Sequence, residues 1–171
     1  VIVNAPYNLD FAQGTNGWDA WENSSFSYVY SIDTSVKASG EGSLYLHATN
    51  ELAEGQVSLN QGISVEAYRG KRVRIRGLIK AQNIVTWGGL RVFITGAGGR
   101  SIFNSNLQQE ARYPLGIIGS HDWREYEIVF NVPTRGAHIH YGIGLMGQGH
   151  IWLDHLSFEI VSPDVPVTVR Q

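Results

Sequence analysis

The sequence predicts an all-β domain, specifically an antiparallel two-sheet jelly-roll sandwich. Three observations predict it. Twenty glycines punctuate short runs in which apolar and polar residues alternate with period two. No long stretch carries the 3.6-residue apolar spacing of an amphipathic helix. The chain also closes on a long strand, Gly149 to Val161, rich in β-branched and aromatic residues. That strand follows the pivot Gly147-Gln148-Gly149. It ends at Ser162-Pro163-Asp164-Val165-Pro166, where two prolines withhold ladder donors. A strand this apolar needs sheets around it, and the rest of the chain supplies them.

Asn8-Leu9-Asp10-Phe11, with Gly14, Gly17 and Trp18 after it, reads as an entry strand and turn. Phe26 to Ile32 sets Phe26, Tyr28, Tyr30 and Ile32 against Ser27, Val29 and Ser31. After the turn Ser39-Gly40-Glu41-Gly42, Ser43 to Ala48 puts Leu44 and Leu46 on one face. Gln56 to Val65 is a further strand. Arg72 to Lys80 turns Val73, Ile75 and Ile79 one way and Arg74, Arg76, Leu78 and Lys80 the other, a core face and a wet face. Gly89 to Thr95 opposes Leu90, Val92 and Ile94 to Arg91, Phe93 and Thr95. Residues 100 to 122 read as one long irregular stretch, a length usually reserved for function. Trp123 to Val132 points Tyr126, Ile128 and Phe130 inward. Ala137 to Met146 opposes Ile139, Tyr141, Ile143 and Leu145 to His138, His140, Gly142, Gly144 and Met146. No repeat or linker interrupts the series, so residues 1–161 read as one domain and 162–171 as a frayed tail.

Composition narrows the function. At 171 residues, 43% hydrophobic and 16% charged, the chain is a globular domain rather than a disordered one. A net charge of −2 gives no electrostatic reason to bind nucleic acid or an anionic membrane. No apolar run nears the ~18 residues of a membrane-spanning helix. The absence of cysteine excludes disulfides and thiolate chemistry. It does not choose between a secreted and a cytoplasmic bacterial setting.

The reactive residue types mostly have plain readings. Gly96-Ala97-Gly98-Gly99 lacks the Lys-Ser/Thr of a phosphate loop and reads as a turn. No Gly-x-Ser-x-Gly elbow marks a serine hydrolase. His138 and His140 have a spacing that could seat a metal, but no third ligand is specified. Glu125 and Glu127 share one strand face, whereas glycosidase carboxylates face each other across a sugar. The aromatics are more informative, with five Trp and eight Tyr. Trp123 and Trp152 lie in strands and read as structural. Trp18, Trp21 and Trp87 lie in or beside glycine-rich turns, where ring faces can be offered to a sugar or an apolar ligand.

Asn8-Leu9-Asp10-Phe11 with Gly17-Trp18, the Ser43-Leu44 strand, and Ile151-Trp152-Leu153-Asp154 with Leu156-Ser157-Phe158 form a recognisable set. Together they resemble carbohydrate-binding modules of the galactose-binding-like jelly-roll kind, over nearly the whole chain. More distantly the chain looks like the hapalindole-type cyclases of the same fold, which rearrange and cyclise a hydrophobic substrate. The resemblance implies a β-sandwich and leaves binding against catalysis open. It also implies a possible structural calcium, with Asp154 as the last-strand carboxylate. Against this, the acid that usually follows the N-terminal aromatic is absent, because Ala12 follows Phe11.

Two functional readings follow. One is a module holding a glycan or similar hydroxyl-rich ligand by ring stacking and amides. The other is a small cyclase or isomerase with an apolar pocket. An interaction domain is a third. The candidate ligand face carries Arg91 and Phe93, is bordered by Trp87, and lies under the loop from Phe103 to Tyr113. With His140 from the neighbouring run, the candidate residues are Trp87, Arg91, Phe93, Asn104, Asn106, Gln108, Tyr113 and His140. The loop amides both donate and accept, as hydroxyl-rich ligands require. The face is open only if the Gly142–Gly144 strand lies beside Arg91.

Overall fold

The computed structural model describes residues 1–23, 28–50, 53–105 and 116–168. Ten strands follow in order: β1 (Ile2–Val3), β2 (Asp19–Glu22), β3 (Tyr28–Asp33), β4 (Ser43–Ala48), β5 (Gln56–Ser64), β6 (Arg72–Thr95), β7 (Ser101–Asn104), β8 (Ile117–Asn131), β9 (His138–Met146) and β10 (His150–Val161). They form one hydrogen-bonded sheet that curls into two packed layers, the antiparallel β-sandwich that the alternation predicts. One layer runs β8, the first half of β6, β10, β4, β3. The other runs β7, the second half of β6, β9 and β5, whose far edge is shared by β1 and β2. The β1–β5 pair is parallel, and every other pair is antiparallel.

Strand β6 makes the curl possible. The sequence reads residues 72–80 and 89–95 as two strands, but the backbone runs through as one strand of 24 residues. Its partner changes on the way, from β10 along 72–82 to β9 along 87–95. The bend falls where alternation lapses. Asn83 takes φ 52°, a left-handed conformation that asparagine tolerates better than most residues. Its N–H donates to Ser120 Oγ at 2.8 Å. Register with β8 slips repeatedly between Ile79 and Gly88, as bulges do where a strand must turn.

Between the layers lie Val73, Ile75, Ile128, Phe130, Ile139, Ile143 and Leu156, all buried as the alternation requires. Phe130 of β8 stacks on Phe103 of β7 with centroids 5.8 Å apart, tying the two layers at one end. Tyr141 of β9 packs on Phe158 of β10 at 5.0 Å. The turn before β10 needs its glycines. Gly147 and Gly149 have φ of 69° and 133°, and a Cβ on Gly149 would lie 2.7 Å from the Ile84 backbone.

Three sequence readings change. The stretch 100–122 is not irregular throughout, since β7 and the first residues of β8 lie inside it. Trp18 is core, not an exposed turn residue: its indole donates to Asn8 O at 3.2 Å and packs against Phe11 and Tyr141. Residues 162–168 are not frayed. Arg72 donates to the carbonyls of Pro163 and Val165, and Thr168 N donates to Val129 O at 3.0 Å. Polar handholds of this kind are invisible to a hydrophobic pattern.

Replacing Phe130 with alanine removes a fully buried ring that joins the layers. It should cost about 3–5 kcal/mol in urea unfolding, with no change in strand content by circular dichroism at low denaturant. A loss under about 1 kcal/mol would show that the site collapses without penalty.

Candidate functional site

The site is assembled by strand register. Residues paired across neighbouring strands share a face, so each rung of the β7–β6–β9–β5–β2 layer can be read as a row. One row is Asn104, Phe93, His140 and Gly62, ending at Ile2 of β1. The next is Arg91, Gly142, Asn60 and Asp19. A third is Gly89, Gly144, Ser58 and Trp21. The strand carrying Gly142 and Gly144 therefore does lie beside Arg91, the adjacency on which the candidate face depends. These rows line a cleft of about 530 Å³, within the range of small-molecule and glycan sites.

The glycines have two different effects. A Cβ at Gly142 would collide with the Leu59 carbonyl oxygen, so glycine there lets β9 and β5 approach. At Gly144 a Cβ would meet the Trp87 ring at 3.0 Å and Arg91 Cδ at 3.4 Å, so that space is filled by those side chains and is not left for a ligand. Trp87 is thereby placed. It packs on Gly144 and against Gly116, half-buried beside the cleft rather than on its lining. Over Gly144 its ring shares space with Arg91 Cδ.

Arg91, Phe93, Asn104 and His140 all line the cleft. Asn106, Gln108 and Tyr113 lie outside the described residues. Phe93 is stacked on His140 with centroids 4.4 Å apart, and the Arg91 guanidinium carbon lies 5.0 Å from the Phe93 centroid. Burial, with help from His138, the amino terminus and Arg91, pushes His140 down to about 4, so its ring is uncharged at neutral pH. Thr95 Oγ1 lies 3.3 Å from His140 Nε2. Arg91 is itself 8% exposed, and burial lowers its pKa from the usual value. No carboxylate lies within ion-pair distance of it among the described residues. Three buried polar atoms lack a hydrogen-bond partner among the described residues, namely Arg91 Nε, Asn60 Oδ1 and Trp87 Nε1. All three belong to this cleft or its wall.

The sequence missed two contributors. Trp21 stands on β2 at 52% exposure and forms the cleft's outer rim, whereas glycine-rich context alone had grouped it with Trp18 and Trp87. Trp18 and Tyr28 are both core residues. Gln56, Ser58 and Asn60 line the floor from β5. Their signal was present, since Gln56-Val57-Ser58-Leu59-Asn60 alternates polar with apolar, but nothing in the chain says that β5 adjoins β9 and β2.

Asp154 stands apart, on β10. Its Oδ2 accepts N–H groups of Ala38 and Ser39 at 2.8 and 3.0 Å, and Oδ1 accepts His155 N–H at 2.7 Å. A calcium ion needs six or more oxygens facing it. Here the carboxylate faces N–H donors, and Asp10, on the same hollow, accepts from Ala12 N at 3.2 Å. No cluster of three or more acidic or histidine side chains suited to a metal occurs among the described residues. The donor set does not fit calcium. It fits a clamp that holds the 38–39 turn on β10.

No protein-family model matches the chain. It is 29% identical over 153 residues to the uncharacterized HTH-type transcriptional regulator YbfP of Bacillus subtilis (strain 168), covering 89% of this chain and 50% of that protein. The chain thus spans about half the length of the curated relative it matches. A helix-turn-helix reads DNA with a helix, and the described residues hold no α-helix, so the likeness does not carry that motif. Among solved structures, the enzymatically active domain of bacteriophage CBA120 tailspike protein 4 superposes with TM-score 0.70 at 12% identity, over 92% of this chain and 21% of that one. TmCBM61 in complex with β-1,4-galactotriose gives 0.59 at 13%, over 93% and 99%. The Stig cyclase FisC from Fischerella sp. TAU gives 0.55 at 14%, over 85% of each. At such identities the likeness shows the fold, which is that of carbohydrate-binding modules and, more distantly, of the cyclases.

Two outcomes test these assignments. Asp154→Ala orphans the N–H groups of Ala38, Ser39 and His155 and should cost about 3 kcal/mol in urea unfolding, while EDTA leaves the wild-type melting temperature unchanged. His140 has its folded pKa held below the unfolded value near 6.5. The unfolded chain then binds the extra proton between pH 6.5 and about 4, so this group's contribution falls as pH falls through that window. Melting temperature should rise from pH 4 to 6.5, and His140→Gln should flatten that rise.

Proposed function

We propose that this domain is a glycan-binding module and that the cleft between Trp21 and Arg91 is its ligand site. The observation that carries the reading is the cleft's composition. An exposed indole stands on one rim, and the floor is made of Ser58, Asn60, Asn104, a neutral His140 and a buried arginine. Flat-ring area beside groups that both donate and accept is what a sugar, apolar on its ring faces and hydroxylated around its edge, requires. The fold shared with carbohydrate-binding modules supports the reading without naming the sugar. The domain contacts no nucleic acid and no membrane in this reading, since its net charge is −2 and no helix among the described residues is long and apolar enough to cross a bilayer.

Catalysis is the weaker alternative. A ring with its pKa held to about 4 is a poor proton acceptor at neutral pH, and among the described residues the cleft offers one carboxylate, Asp19, on its exposed rim.

The test is calorimetric titration with a panel of neutral and acidic polysaccharides. Trp21→Ala should weaken binding by roughly tenfold or more. Its melting curve should match wild type, because the indole is half exposed on an edge strand. Unchanged affinity would remove the cleft from the account.

A further inference from the structure

The cleft contains a charge that the described residues leave without an ion-pair partner. Arg91 lies in the middle of a sheet face at 8% exposure, and a buried cation is ordinarily paired. Among the described residues it makes no ion pair, and its Nε–H has no acceptor. The nearest acid in its row, Asp19, is three strands away, roughly 14 Å at the usual strand spacing. Across Gly142, which presents no side chain, stands Asn60, 9% exposed, with Oδ1 unpaired and Nδ2 donating to Ser58 Oγ at 3.0 Å. Arg91 and Asn60 thus flank Gly142 in one row of the cleft, a guanidinium on one side and a carboxamide on the other.

We infer that this strip recognises a carboxylate-bearing sugar, a uronic acid residue, with Arg91 holding the carboxylate and Asn60 accepting from a ring hydroxyl. The inference rests on the glycan-binding reading and narrows it. A guanidinium takes a carboxylate in two parallel hydrogen bonds through paired N–H groups, and Arg91 lines the cleft with no carboxylate partner among the described residues. A neutral sugar would leave the buried charge uncompensated. The carboxylate compensates it, so the discrimination comes from a charge-assisted bond in a partly desolvated place. The side-chain charges around His140 agree: His138 and Arg91 lower its pKa, and Asp19 raises it. An anion seated on Arg91 adds a second group acting in the raising direction.

The experiment compares trigalacturonate and β-1,4-linked triglucuronate with their methyl esters, and with tricarballylate as a non-sugar tricarboxylate, by calorimetry at physiological salt. At least one acid should bind roughly tenfold to a hundredfold more tightly than its ester, the range of one charge-assisted hydrogen bond. Arg91→Met should erase that preference. Because it removes an unpaired buried charge, Arg91→Met should also melt at or above the wild-type temperature. On adding the acid, the His140 ring resonance should titrate at higher pH than in the free protein. Equal affinity for acid and ester overturns the inference and leaves the glycan reading standing. Binding of tricarballylate with neither glycan form keeps the carboxylate site and overturns the glycan reading. Binding of none of the probes overturns both, and a marked fall in melting temperature for Arg91→Met shows that the arginine is structural.

Discussion

Everything in this fold depends on β6 pairing in both layers. A strand of 24 residues cannot stay straight within a domain of this size, and here it bends at Asn83 and changes partner from β10 to β9. Once its first half is locked by Val73 and Ile75 in the core, the register of its second half follows. That register sets Arg91 opposite Gly142 and Phe93 opposite His140. A slip of one residue would send Arg91 into the core and Val92 to the cleft, so the packing that stabilises the sandwich also positions the candidate site.

The two faces of the second half of β6 are held by different forces. Leu90, Val92 and Ile94 are stabilised by burial against the other layer. Arg91 is buried and Phe93 half-buried among lateral neighbours, including Trp87, His140 and Gly144. The first face contributes stability. The second concentrates unpaired polar atoms in a small region, and buried polar groups without partners cost stability. Among the described residues these atoms cluster at one cleft, which supports the proposal that another molecule completes the hydrogen bonding there.

Elsewhere among the described residues the buried side-chain polar atoms have partners. Gln61, fully buried on β5, accepts from Tyr7 N–H and the Tyr141 hydroxyl and donates to Tyr7 O and Gly17 O, fastening the N-terminal segment to the sheet. Asp154 does the same for the 38–39 turn. An acid set among apolar residues on a last strand looks like a metal ligand in a sequence. In three dimensions it caps backbone donors, and only the position of the opposing N–H groups separates the two.

By itself the sequence determined which residues point inward. Period-two alternation is local, so Val73, Ile75, Ile128, Phe130, Ile139 and Ile143 could be assigned to the core with no knowledge of strand order, and glycine and proline marked most of the turns. It also put Arg91 and Phe93 together on one face. Strand order was left to the tertiary structure, because backbone hydrogen bonding between strands is nearly independent of side-chain identity and writes no local signal. That is why the sequence split β6 in two, set Trp21 apart from Arg91 and left β5 without a role. Only the fold decided that β2, β5, β9 and β6 lie side by side, that Gly144 is filled by Trp87, and that a buried arginine faces an asparagine across a bare glycine.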